Sequence, residues 1–454
     1  MSWVWYAVGV LAAAFGVGAS IALHEVGHLL PAKRFGVRVT QYMVGFGPTV
    51  WSRRRGETEY GLKLIPLGGY VRMIGMFPPQ PDDAPGTVRT SSTGRFRALA
   101  DDARKAAAEE LLPGDDHRVF YKLSTPRKLA VMLGGPVMNL LIAAVLLTGV
   151  ITLHGAATPG EGALVTSVAQ CVVPVTEATA TPSCAGRPGT PAAAAGLAPM
   201  DTIVSIDGSP VRVTGDVARL IRPRVGQPTE VVIERQGERR QVTLTPIANT
   251  VAALDAQGHP QRDAAGNLVT TTAGFVGVSM TAPTVYVPQS ITTVPGVLAD
   301  GVWRTAGAIV AIPQKLVGVW QAAFGQQERA VDSPMSVVGV GRVAGEVSAG
   351  KLDLLIGRNA ADKAWFLVGL IASLNLMLFV FNLIPMLPFD GGHVAGALWE
   401  GLKRQWARLR GRPAPAYVDV AKGMPIAYAV SIVLIAMSVL LMYADVVNPI
   451  KLGG

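Results

Sequence analysis

The chain has 454 residues, of which 50% are hydrophobic and 16% charged, with a mean hydropathy of +0.37. That balance excludes a disordered chain and argues against a fully soluble one. Forty Lys and Arg against 31 Asp and Glu leave a net +9, and two cysteines exclude a disulfide-rich scaffold and a cysteine-type zinc finger.

Residues 1–32 hold a first span, uncharged from Trp3 to Leu23 and without the basic start of a cleavable signal. Residues 33–128 form a loop. Within it, 40–76 reads as a membrane-re-entrant β-hairpin turning at Gly68-Gly69, and 77–118 as a mobile segment with a short amphipathic helix near 94–112. A second span occupies 129–154. Residues 161–247 read as a compact β-rich domain with a helix near 214–224, and 248–300 as a β-hairpin extension with turn signals at 255–258 and 263–267. In 301–362, Arg304, Pro313 and Lys315 interrupt an apolar stretch, which predicts an interfacial amphipathic helix and a connector rather than a fifth span. A third span lies in 363–397, a loop in 398–424 and a fourth span in 425–446. The expected fold is an α-helical polytopic membrane protein with four transmembrane helices, a membrane-associated β-hairpin and an inserted β-rich domain.

Basic residues set the orientation. The 33–128 loop holds 17 Lys and Arg, the short 398–425 stretch six, and the much longer 155–362 segment only 15. Both basic loops are therefore expected in the cytosol, with the long segment and both termini outside. The positive balance is then explained without nucleic acid.

His24-Glu25-Val26-Gly27-His28 ends the first span. Residues four apart on a helix share a face, so His24 and His28 can present both imidazoles to one ion, while Glu25 can take a proton from the attacking water and pass it to a leaving amine. The bland alternative is a chance match to a loose pattern at a span end. It is weakened because His, Glu and His are costly to desolvate inside an apolar helix. Hydrolytic zinc needs a third protein ligand. His117, His154 and His259 lie in loops, whereas Asp390 closes the third apolar run, and spans one and three run in the same direction, so Asp390 shares a depth with His24 and His28. The rivals are a plain Asp-Gly turn and His393 as the ligand. Pro385 and Pro388 predict an unwound end to span three, leaving backbone groups and Asn382 free to hold an extended substrate. Gly68 and Gly69 mark a second backbone template.

Together with Val44-Gly45-Phe46-Gly47-Pro48, Ile65-Pro66-Leu67-Gly68-Gly69-Tyr70, Gly135-Pro136-Val137-Met138-Asn139 and Asn382-x-x-Pro385-x-x-x-x-Asp390-Gly391, the first motif resembles the site-2 protease family of intramembrane zinc metalloproteases, particularly the actinobacterial regulator-of-sigma type. The resemblance implies one zinc ion on His24, His28 and Asp390, Glu25 as general base, and substrate handling by Asn382 and Pro385. It further implies a substrate that is a single-span membrane protein of the anti-sigma-factor type, already trimmed by an upstream site-1 protease; the loop charges and span parity place the expected site near the cytosolic leaflet of the cell membrane.

Residues 161–247 are similar to a PDZ domain, extracytoplasmic by the charge argument, with Leu164, Val165 and Val168 on the strand expected to receive a peptide. Cys171 and Cys184 lie in an insertion on the oxidising side, where a disulfide or two buried thiols are the alternatives. A catalytically silent PDZ-containing membrane scaffold is the main rival to the protease. A metal-ion transporter fits poorly, because no further intramembrane acidic or His residues line a path.

Overall fold

The computed structural model describes residues 2–78, 104–105, 109–177, 184–255, 260–325, 327–413, 415 and 417–452. The helix expected near 94–112 and the turn expected at 255–258 lie largely outside the described residues, as does His259. The chain divides into two compact units, Met1–His154 with Gln289–Asp353 and Arg358–Gly454, and Gly155–Pro288 with Leu354–Gly357.

In the first unit, four helices among the described residues are long and apolar enough to cross a membrane: Ser2–Arg34, Gly134–His154, Ala360–Asn382 and Val420–Val447. Helix α1 (Ser2–Arg34) carries the first motif near its end. The two long strands β1 (Val39–Arg55) and β2 (Thr58–Met73) follow. Their register shows a bend in each. Gln41–Val44 pairs both with Glu59–Leu62 and with Gly69–Arg72, and Trp51–Arg55 pairs back onto Thr58–Leu62. The hairpin therefore turns at Gly56, which has φ +64°, and not at Gly68-Gly69, which lie within β2. The Gly-Gly pair serves close approach rather than reversal.

The expected second span begins with a break. Helix α2 (Thr125–Met132) stops before Leu133, and α3 (Gly134–Gly149) begins anew, continuing as one π turn to His154. Pro136 lacks the N–H that would bond to Met132 and its ring crowds that carbonyl, so one continuous helix cannot form.

The 301–362 connector is more ordered than expected. Helices α6 (Val294–Val310) and α7 (Ile312–Phe324) meet at Ala311, α8 (Val337–Ser348) packs on α1, and the single turn α9 (Asp353–Ile356) follows in the chain. A Cβ on Gly9 would lie 2.3 Å from the Ala344 carbonyl, and one on Gly345 2.6 Å from the Tyr6 ring. Small residues on both helices thus permit close packing. The third span, α10 (Ala360–Asn382), ends earlier than expected, residues 383–389 are irregular, and α11 (Asp390–Leu409) restarts. Asp390 therefore opens a helix instead of closing one, and much of the expected 398–424 loop is helical. An acidic first residue complements the unpaired N–H groups there. Helix α12 (Met424–Val447) completes the unit.

The second unit holds a sheet ordered β11-β4-β5-β7-β8, built from β4 (Ala163–Val168), β5 (Thr202–Ile206), β7 (Thr229–Arg235), β8 (Glu238–Leu244) and β11 (Val278–Thr281), with the short β6 (Ser209–Pro210) paired to β5. After the single turn α4 (Pro191–Ala194), the helix α5 (Thr214–Ile221) covers the buried Val165, Ile203, Ile206, Val231 and Ile233, and its Val217 and Ile221 close the core. The strands β9 (Ile247–Ala252) and β10 (Thr270–Phe275) form a separate hairpin, and β12 (Thr284–Val287) pairs with β3 (Ala156–Pro159). The expected extension at 248–300 thus divides, and part of it enters the main sheet. Val278 pairs with Val168, Met280 with Val165 and Thr281 with Leu164. Leu164, Val165 and Val168 accordingly do not form an open receiving edge. Leu164 and Val165 are buried, and the outer strand is β11.

Candidate metal centre

One helical turn brings His24 and His28 together with their Nε2 atoms 3.3 Å apart. The Oδ2 of Asp390 lies 3.4 Å from the first and 3.2 Å from the second. Among the described residues, these three form the group whose ligand atoms could share one ion. A tetrahedral zinc site with bonds of about 2.0–2.1 Å has ligand atoms roughly 3.3–3.4 Å apart, and the observed triangle has that size. The Asp390 Oδ2 is buried without a hydrogen-bond partner among the described residues, an arrangement that a cation would complete. His393 is not part of the converging group.

The far side of the His28 ring explains its orientation. Its Nδ1 lies 2.8 Å from the Val131 carbonyl, an atom that can only accept. The Nδ1 proton is donated there, leaving the Nε2 lone pair directed at the shared point. On His24, Nδ1 lies 3.0 Å from the amide nitrogen Nδ2 of the fully buried Asn139.

Glycines allow the helices to come this close. A Cβ on Gly27 would stand 2.2 Å from the Gly134 carbonyl, and one on Gly135 would stand 2.2 Å from His28 Nε2 and 2.7 Å from His24 Nε2. On the opposite side, a Cβ on Gly391 would meet the Ile384 carbonyl at 2.2 Å, so the start of α11 rests directly on the irregular turn. Helix α11 is also tied to α2, which carries Val131. The Glu400 carboxylate accepts from Lys128 Nζ at 2.8 and 2.9 Å, and both residues are buried. Burial pushes the Lys128 ammonium below its usual range, and the hydrogen bond it donates to Glu400 counters that shift.

Glu25 is buried and faces β2. A Cβ on Gly69 would lie 2.9 Å from Glu25 Cγ and 3.3 Å from its Oε1. Gly68, at φ +95°, sits against the Phe46 ring. Asn382 is the last helical residue of α10 and is half-buried, and Pro385 is exposed in the turn beyond it. In the second unit, Cys171 and Cys184 are joined by a disulfide. Sequence reasoning missed the Val131 carbonyl, for which no signal exists in a residue type. Gly135 and Asn139 were visible only as members of a motif, four residues apart and so on one helix face.

Two imidazoles and a carboxylate converging between apolar helices, with a buried glutamate next to the first histidine, are the donor set that a membrane-embedded hydrolytic metal site, as a class, would use. The profile described as Peptidase family M50 matches residues 12–426, and the chain belongs to that family, the site-2 proteases. Proteases of the family are intramembrane and use zinc. The chain is 33% identical over 452 residues to the zinc metalloprotease Rip1 of Mycobacterium tuberculosis, with 98% of this chain and 99% of the relative covered. It is 32% identical to Rip1 of Mycolicibacterium smegmatis, covering 98% of this chain and 99% of the relative, and 26% identical to the zinc metalloprotease RasP of Geobacillus kaustophilus, covering 83% and 86%.

Proposed function

We infer that this chain is a zinc-dependent intramembrane endopeptidase, and that His24, His28 and Asp390 are the zinc ligands and Glu25 the general base. The observation that carries the reading is the triangle of three ligand atoms at tetrahedral spacing, one of them an otherwise unpartnered buried carboxylate oxygen. Zinc, when bound, would polarise the scissile carbonyl and make water acidic enough to attack near neutral pH. Glu25 would accept the proton of the attacking water and deliver it to the departing amine nitrogen. Its place beside Gly69 supports this role, because no side chain there separates it from a passing peptide.

An α-helical substrate has its amides bonded internally and must be drawn out before cleavage. Gly69–Arg72 pairs with Gln41–Val44 along one edge, and among the described residues no strand pairs with its other edge. An extended peptide added there would run past Glu25, with Asn382 and the turn containing Pro385 holding its other side. The substrate class is a membrane-bound protein. A single-span, pre-trimmed anti-sigma factor acted on first by another protease is the finer reading, supported by the resemblance. The basic loops support a site near the cytosolic leaflet, with the β-rich unit and both termini outside.

The β-rich unit is read as a PDZ domain that filters or tethers substrate. With β11 paired outside β4, the strand that would receive a peptide is β11, whose outer side has no strand partner among the described residues.

Zinc analysis and cleavage of a model single-span protein by wild type and Glu25→Gln test the reading. Zinc retained by both and cleavage lost in the variant is the expected result. Equal cleavage by the two forms would remove Glu25 from the chemistry, and a zinc-free, inactive wild type would favour the silent scaffold.

A further inference from the structure

We propose that Asn139 is the positioning residue for His24: its side-chain carbonyl accepts the Nδ1–H of that ring and so aims the Nε2 lone pair at the metal point. The proposal rests on His24 being a zinc ligand. It concerns the side of the ring facing away from the ion, which the proposed reaction leaves without a function.

A neutral imidazole carries one proton. His24 turns Nε2 inward, 3.3 Å from His28 Nε2 and 3.4 Å from Asp390 Oδ2. To ligate through that atom it must hold its proton on Nδ1, and a buried N–H requires an acceptor. His28 has the Val131 carbonyl for this purpose, at 2.8 Å. The corresponding neighbour of His24 is the fully buried Asn139, whose amide nitrogen Nδ2 stands 3.0 Å from Nδ1. The Asn139 Oδ1 is buried without a hydrogen-bond partner among the described residues. The two ends of an amide have nearly the same shape, and a half-turn about the terminal torsion exchanges them, placing Oδ1 against the ring without disturbing the packing.

The position of Asn139 on its helix fits this task. Gly135 touches both imidazoles from below, with no room for a Cβ, and Asn139 is one turn further along the same face. The glycine admits the rings and the asparagine orients one of them. An asparagine merely packing in an apolar helix would gain nothing from burying a polar amide there.

The experiment uses the full-length protein in detergent, with zinc affinity measured by competition against a chromogenic chelator and the ligand field read from the cobalt-substituted form. Asn139→Leu and Asn139→Ala remove the acceptor, Asn139→Asp retains one, and His24→Ala is the reference. The acceptor-free variants should bind zinc about 10–100-fold more weakly and shift the cobalt bands. At saturating zinc their kcat should fall while KM stays near wild type, because Asn139 does not touch substrate. Asn139→Asp should hold zinc within about threefold of wild type. Wild-type zinc affinity in a folded Asn139→Ala or Asn139→Leu overturns the proposal, as does an Asn139→Asp variant as weak as these two. Unchanged affinity in His24→Ala would instead overturn the ligand assignment itself, and the proposal with it.

Discussion

The β-rich unit and the candidate metal centre treat buried polar groups in opposite ways. In the β-rich unit they are closed off. The buried Asp201 accepts from Arg235 at 2.6 and 2.7 Å and from the Ala198 amide at 2.8 Å, and Asn249 donates to the Val173 carbonyl and accepts from the Thr250 amide. At the candidate metal centre, Asp390 Oδ2 is buried next to two imidazoles without a hydrogen bond among the described residues. Closed polar groups hold an architecture together, whereas open ones beside two imidazoles mark where a ligand belongs.

Substitutions that test this contrast should fall into a steep order. Asp390→Ala should remove zinc from the purified protein and lower cleavage by about 10³-fold or more, since two histidines do not complete a hydrolytic site. Metal analysis alongside a cleavage assay reads both. Next comes Gly135→Ala. Its new Cβ would need the space of both ring nitrogens, and a displacement of about 1 Å at a reacting centre costs on the order of 10²-fold. A variant that kept full activity would show that the rings are not held in the observed place.

Excising the β-rich unit should have a selective effect. Ile151 and Gln289 are already joined by a backbone hydrogen bond of 2.9 Å, so a short Gly-Ser link can close the gap. Cleavage of a trimmed substrate should persist and cleavage of an untrimmed one should appear. Loss of both would mean that the unit does more than filter. The smallest effect on cleavage is expected from the double change Cys171→Ser and Cys184→Ser. It should lower the stability of the β-rich unit by about 2–4 kcal/mol, measurable by denaturant titration, with cleavage unchanged.

Several features were readable in advance because they depend only on local rules. An uncharged run long enough for the bilayer reads as a span, and four-residue spacing on a helix puts His24 and His28 on one face. Asp390 was reachable by counting spans, although its helix was assigned the wrong way round. Pro385 and Pro388 announced the end of α10, yet no local rule said that a new helix would restart at Asp390. Gly68-Gly69 suggested a turn because glycine pairs usually mark one. In the fold, Gly69 instead makes room for the Glu25 side chain, a need that arises only once α1 lies against β2. The β11 strand is short and has no distinct pattern, so its place beside β4 could not be read from its own residues.

By itself, the sequence determined the number of spans, the helical repeat that aligns the two histidines, and the chemical types available to bind a cation, since each follows from hydrophobicity, periodicity or side-chain chemistry along a single stretch of chain. Only the tertiary structure decided how closely the Asp390 carboxylate meets the imidazoles, which carbonyl and amide stand behind them, and which strand ends the sheet. Those depend on backbones separated by more than a hundred residues meeting at contact distance, and the glycines that allow this are recognisable only once their neighbours are in place.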